Sequence, residues 1–331
     1  MTDRAAGPAR AAIFGCAGPR LSDAEKRFFT ATNPLGFILF ARNIDTPDQV
    51  RALVGELRAT VGDEFAPVLI DQEGGRVQRL GPPHWPERPP ASQFAAAFGE
   101  DTAQAKADLA ENAAAIARDL AAMGITVDCW PVLDLPQAGA DPIIGDRALG
   151  TEPDAVAALG GVIIDVLHAG GVSPVIKHIP GHGRALVDSH KALPVVETDL
   201  PTLQATDFAP FRMLNTAPWA MTAHVVYSAI DADNCATFSE TVVRDVIRGD
   251  IGFDGLLISD DLSMHALSGG FAARTERALA AGCDVVLHCN GDMAEMAPVA
   301  EAAHIMSDDA QARFARAEQM RRAETGAGTD T

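Results

Sequence analysis

At 331 residues, with 47% apolar and 21% charged side chains, the chain is long and apolar enough to bury a large core, which excludes a disordered segment. The formal net charge of −19 excludes nucleic acid and anionic membranes as natural partners, because both would be repelled. Five cysteines are odd in number and scattered, which suits free thiols in a reducing compartment rather than a disulfide framework.

Taken in chain order, short apolar or β-branched runs alternate with longer helical patterns. The expected strands are 11–14, 36–40, 67–70, 125–132, 172–177, 219–225, 255–259 and 284–288. Near-continuous apolar runs of this kind are what parallel strands buried on both faces require. The apolar stretch from Ala11 to Cys16 is too short for an export signal. A lipid-anchor cleavage before Cys16 is opposed by Pro8 and Arg10, so a cytoplasmic location is expected. No run approaches the ~18 apolar residues that a membrane-crossing helix needs.

Several helix ends are marked. Thr46-Pro47-Asp48-Gln49 reads as a capping box with proline at the first helical position. Pro153 opens a second helix that Gly170-Gly171 closes, and Ser239 stands where it would cap a third through Ile247. Beyond the last strand a final helix is expected, with a polar tail from about Glu324 and no second domain. Eight strand–helix units favour closure into one (β/α)₈ TIM-type barrel of parallel strands. An open doubly wound sheet is the alternative that pattern alone leaves standing.

Polar residues interrupt the pattern just after the strands. Asp71 follows the third, Arg147 lies in the loop after the fourth, and Lys177-His178 ends the fifth. His224 ends the sixth and Asp260 the seventh. Barrel enzymes place their active sites at the C-terminal ends of the strands, so these positions converge on one rim.

Three segments carry candidate chemistry. In the loop from Lys177 to His190, proline and two glycines forbid a regular helix. There Asp188 and His190, two apart, can lie on one side of an extended segment. A carboxylate bound to one imidazole nitrogen would make the other a proton donor and acceptor near neutral pH. A metal site built from His178, His182, His190 and Asp188 is the rival reading, weakened because spaced histidines align as ligands only on a helix. In the second segment Asp260 and Asp261 follow a buried run. Adjacent side chains of an extended strand point to opposite sides, so one faces the site and the other caps the next element, and spacing does not say which. The third segment, Asp71–Arg79, combines paired glycines with mixed charge that could hold sugar hydroxyls, and lacks the glycine spacing of a phosphate loop.

The segments Asp71–Arg79 (DQEGGRVQR), Ile144–Arg147 (IGDR), Lys177–His190 (KHIPGHGRALVDSH), Met221–His224 (MTAH) and Phe253–Met264 (FDGLLISDDLSM) resemble glycoside hydrolase family 3, in particular its NagZ-type β-N-acetylglucosaminidases. The resemblance runs from about Gly15 to beyond the last strand. It implies Asp260 as catalytic nucleophile, His190 as general acid/base and Asp188 as its partner. Asp71, Arg79, Arg147, Lys177 and His178 are implied to bind a terminal N-acetylglucosamine. The loop bearing His190 is implied to close over the substrate.

The implied substrate is a small carbohydrate or muropeptide, N-acetylglucosaminyl-1,6-anhydro-N-acetylmuramic acid with or without peptide, in peptidoglycan recycling. Neither a cofactor nor a metal is implied, and the expected state is a monomer. A family-3 β-glucosidase, a glycoside phosphorylase and a sugar-binding protein without catalysis are the alternatives. Two departures from the family pattern, Arg184 where an aspartate is frequent and Ile179 where an aromatic is, fall on the loop and outside the Asp188–His190 pair.

Overall fold

The computed structural model describes residues 7–189 and 192–324. Eight parallel strands close into a barrel: β1 (Arg10–Phe14), β2 (Pro34–Leu39), β3 (Val68–Ile70), β4 (Val127–Asp128), β5 (Ser173–Ile179), β6 (Trp219–Thr222), β7 (Leu256–Asp261) and β8 (Val285–His288). Each strand pairs with its sequence neighbours, and β8 closes on β1 with Ala12 opposite Val286. All eight expected strands are present, and the open doubly wound alternative is excluded.

Alternate strand residues enter two different cores, as the two-residue period of a strand requires. Ala11, Ile13, Leu69, Val127, Val175, Trp219, Met221, Leu256, Ile258, Val285 and Leu287 share one cluster inside the barrel. Ala12, Phe14, Val68, Ile70, Ile176, Ala220, Leu257 and Val286 pack outward with the helices.

The helix expected at Pro47 forms as α1 (Pro47–Val61) and that at Pro153 as α2 (Pro153–Ala169), closed by Gly170. The capping box forms by half. Thr46 Oγ1 accepts the Gln49 N–H at 3.3 Å, but Gln49 Oε1 accepts from Asp45 rather than from Thr46. Ser239 Oγ accepts the Val242 N–H at 3.1 Å and opens a segment, Val242–Asp250, wound as a π-helix.

Strand β4 is shorter than expected. Pro131 has no N–H to give to a ladder, and beyond it the chain runs beside β5 through Leu133 N–H to Lys177 O, 2.8 Å. Two helices, not one, follow β8: α3 (Met293–Ala302) and α4 (Asp308–Glu324). Helix α4 sends Ala310, Phe314 and Ala317 into the barrel cluster, with Phe314 edge-on to Trp219 at 6.0 Å. A groove between Pro8, Phe65, Phe314 and Arg322 opens beside this helix and contains none of the polar rim residues.

Cys16, Cys129, Cys235, Cys283 and Cys289 are free thiols, all buried. No helix among the described residues is long and apolar enough to cross a membrane.

Candidate active site

Asp71 leaves the end of β3 and leads into a hairpin, Gln72–Gly74 against Val77–Gln78. Gly74 turns the hairpin at φ +90°, and a side chain there would meet Pro89 O at 2.4 Å, so glycine is required twice over. Gln72 fixes the hairpin base by accepting the N–H groups of Arg79 and Leu80 at 2.9 and 3.0 Å.

This geometry brings four of the expected binding residues into one ionic cluster. Lys177 Nζ lies 2.8 Å from Asp71 Oδ1 and 2.7 Å from Glu73 Oε1. Arg79 donates to the other oxygen of Asp71 at 3.1 Å, and Arg147 grips Glu73 with two 2.8 Å bonds. The loop bearing Arg147 is itself tied to the hairpin by Arg76, which donates to Asp146 at 2.7 Å.

Burial alone would raise the pKa of Asp71, but Lys177 and Arg79 outweigh it and hold the carboxyl well below the usual range. Burial likewise opposes ionisation of Glu73, and Arg147 and Lys177 reverse it. Burial would neutralise Lys177, but the same two carboxylates keep its ammonium charged. The cluster is therefore a set of fixed charges and donors, chemically able to hydrogen-bond hydroxyl groups. Beneath it lies Asp128, fully buried, with Oδ1 accepting the Gln72 N–H at 3.0 Å; burial pushes its pKa well up.

His178 belongs to a second hub, centred on Asp134. Asp134 Oδ2 lies 2.7 Å from His178 Nδ1, and Oδ1 accepts the amides of His178 (3.2 Å) and His182 (2.6 Å). Burial opposes the charge on Asp134, and the two histidines hold its pKa below the ordinary value. The bond to Nδ1 turns His178 Nε2 away from the carboxylate and fixes the ring. His182 is forced neutral by burial and by the nearby His178, with its pKa down to about 4. Among the described residues, no group of three His, Cys, Asp or Glu side chains is arranged to hold a metal ion.

At the end of β7 the two adjacent aspartates divide. Asp261 Oδ1 accepts the N–H groups of Ser263 (2.9 Å) and Cys289 (3.0 Å), and its Oδ2 accepts the Ser263 hydroxyl at 2.5 Å. Asp261 thus caps a turn rather than a helix, and both of its oxygens are used in holding that turn. Asp260 is half-buried, receives the Asp261 N–H on Oδ1 at 2.7 Å, and acts electrostatically on His182 and His224. His224 is structural: Nε2–H donates to Asp261 O at 3.0 Å, which leaves Nδ1 to accept the Thr237 hydroxyl at 2.7 Å.

The loop after β5 has no regular structure through residues 180–188, and it carries Asp188, half-buried. His190 lies outside the described residues. The two departures have local partners. Arg184 pairs with Asp207 at 2.6 Å and with Thr206 at 3.0 Å, and Ile179 is fully buried at the end of β5. Glu73 and Asp134, the carboxylates at the centre of the two hubs, are positions that the sequence reading did not single out. Asp134 is a lone acid between two leucines, a signal that could have found it, whereas Glu73 is one charge among several in the Asp71–Arg79 segment.

The sequence matches the glycosyl hydrolase family 3 N-terminal domain over residues 14–320. The chain belongs to glycosyl hydrolase family 3. Its relatives include a β-hexosaminidase of Alkalilimnicola ehrlichii, 39% identical over 282 residues, which span 84% of this chain and 80% of the relative. A β-hexosaminidase of Methylococcus capsulatus is 40% identical over 283 residues, 84% of this chain and 82% of its own. Native NagZ from Neisseria gonorrhoeae superposes with a TM-score of 0.85 at 32% identity, covering 98% of this chain and 94% of that one. Within the family the chain falls with the β-hexosaminidases.

Proposed function

We propose that this family-3 enzyme is a retaining exo-β-N-acetylglucosaminidase that works through a covalent glycosyl–Asp260 intermediate. One observation carries the reading. The cluster of Asp71, Glu73, Arg79, Arg147 and Lys177, with His178 beside it, shares the barrel rim with an aspartate whose neighbour Asp261 is fully engaged. A terminal N-acetylglucosamine held by Asp71, Arg79, Arg147, Lys177 and His178 would present its anomeric carbon to Asp260. That the N. gonorrhoeae enzyme has been crystallised with N-trifluoroacetyl-D-glucosamine supports a sugar of this size and substitution.

The chemistry runs in two steps. Asp260 attacks C1 and the C1–O bond to the leaving group breaks, while His190, oriented by Asp188, gives its proton to the departing oxygen. His190 then takes a proton from water as that water attacks C1, releasing the Asp260 carboxylate and N-acetylglucosamine with its β configuration retained. A neutral imidazole, unlike a second carboxylate, puts no negative charge beside the glycosyl–aspartate. The substrate that fits this reading is N-acetylglucosaminyl-1,6-anhydro-N-acetylmuramic acid, with or without peptide, consumed by a cytoplasmic monomer in peptidoglycan recycling.

The test compares aryl N-acetyl-β-glucosaminide with aryl β-glucoside for wild type, Asp260→Ala and His190→Ala. Hydrolysis of the N-acetylglucosaminide that collapses in Asp260→Ala is expected. A preference for the glucoside would remove the substrate, and formation of a sugar phosphate in phosphate buffer would make the enzyme a phosphorylase.

A further inference from the structure

The start of the loop after β5 is held rigidly. Tyr227 donates its hydroxyl to Gly181 O, and the His182 amide is fixed on Asp134. Gly183 is pressed against the preceding loop so closely that a side chain there would lie 2.0 Å from Leu135 O. Arg184 is paired to Asp207, and Ala185 O accepts the Asp141 N–H at 2.8 Å. The chain then swings into solvent, with Leu186 67% and Val187 40% exposed. It is caught again when Val195 and Val196 pair with Val226 and Tyr227.

Between these anchors one side chain of the rigid part reaches across the loop. His182 Nε2 lies 3.1 Å from Ser189 Oγ, and both residues are buried. His182 Nδ1 is buried with no hydrogen-bond partner among the described residues. A neutral imidazole carries one N–H, and the tautomer that leaves no buried N–H orphaned puts it on Nε2, donating to Ser189 Oγ.

We infer that His182 is a positioning residue for the acid/base pair: its hydrogen bond to Ser189 holds the loop at the residue next to Asp188. This rests on the reading of Asp188 and His190 given above. Asp134 extends the arrangement, because the carboxylate that orients the sugar-binding His178 also fixes the amide of His182. His178 and the start of the loop that carries Asp188 are thereby fixed on one buried carboxylate.

Misplacing a proton donor has a signature that general loss of structure lacks. Leaving groups that need a proton suffer, and those that depart as stable anions do not. The experiment measures kcat/KM for N-acetyl-β-glucosaminides of 2,4-dinitrophenol, 4-nitrophenol and an alkyl alcohol in wild type, His182→Ala, Ser189→Ala, His182→Gln and His190→Ala. Inhibition by free N-acetylglucosamine serves as a measure of the sugar site.

His182→Ala and Ser189→Ala should each lose on the order of 10- to 100-fold on the alkyl glycoside and less than about 3-fold on the dinitrophenyl one, part of the 10²–10⁴ that a general acid supplies. The double variant should be no worse than either single one, and the inhibition constant should hold within about twofold. His182→Gln, whose amide can still donate to Ser189, should recover most of the alkyl rate. If His190→Ala shows the steep dependence while His182→Ala and Ser189→Ala fall evenly across the series or not at all, the inference is overturned. If His190→Ala itself shows no dependence on the leaving group, the acid/base assignment fails and takes the inference with it.

Discussion

Lys177→Met removes the ammonium from the centre of the site and keeps the length of the side chain. Lys177 and Glu73 have side chains only 2% exposed, so the two contacts at 2.8 and 2.7 Å lie almost out of water. Removing one partner of a buried ion pair costs about 3–5 kcal/mol, because the other charge stays buried. Here Glu73 keeps both bonds to Arg147, and Asp71 keeps Arg79 and is 15% exposed, which places the loss near the lower end. At roughly 2–4 °C per kcal/mol for a large domain, a loss of about 3 kcal/mol lowers Tm by about 6–12 °C at pH 7.

The pH dependence gives the stricter test. In wild type both carboxyls titrate below their ordinary values, so their contribution is complete above the ordinary range and is lost only as pH falls through the depressed values. Without Lys177 the balance tips toward burial, which favours the protonated form, and the variant gains stability as pH falls from 7 to 5. The gap between the two melting curves should therefore narrow by pH 5. An equal gap at both pH values, or a fall in Tm of under about 2 °C, would refute the view that Lys177 neutralises this cluster.

Asp261→Ala removes the acceptor for Ser263 and Cys289, so it should cost about 1–3 kcal/mol in chemical denaturation yet leave hydrolysis measurable. Asp260→Ala should do the reverse, with a loss of activity on the order of 10⁴-fold or more and an unchanged melt. Asp128 has a pKa raised by burial, so its ionisation penalises the fold increasingly as pH rises above the ordinary carboxylate range. Asp128→Asn keeps an oxygen for the Gln72 N–H and should melt at or above wild type at pH 8, with the difference shrinking toward pH 5; a loss of more than about 2 kcal/mol would contradict this. Gly183→Ala drives a methyl group into the Leu135 backbone and must move the loop, so kcat/KM should fall by about 10²-fold and stability by about 1–3 kcal/mol.

The strands were legible because each is an apolar run bounded by turn residues, and parallel strands buried on both faces leave no other pattern. Where the reading overshot, a specific group intervened. Pro131 cut β4 to two residues by withholding an N–H, and Gln49 completed only half of its box because Asp45 offered a competing donor. The polar residues of the rim were visible as interruptions at the ends of the strands.

The supporting side was not visible. Glu73 follows Gln72 in what reads as a charged turn, and only the hairpin reveals that Arg147, 74 positions away, grips it. Asp134 sits between two leucines, and its role depends on where Pro131 directs the chain beside β5. The division of labour between Asp260 and Asp261 could not be read from spacing. It depends on the Cys289 amide just beyond the next strand, which has no trace in the local sequence.

The most direct test of the mechanism is to trap the intermediate with a slow fluorinated N-acetylglucosaminyl donor and map the modified peptide by mass spectrometry. A single N-acetylglucosaminyl-type adduct on Asp260 is expected, with the β-anomer of N-acetylglucosamine released first from an ordinary aryl glycoside. An adduct on Asp261, or no adduct together with initial release of the α-anomer, would contradict it.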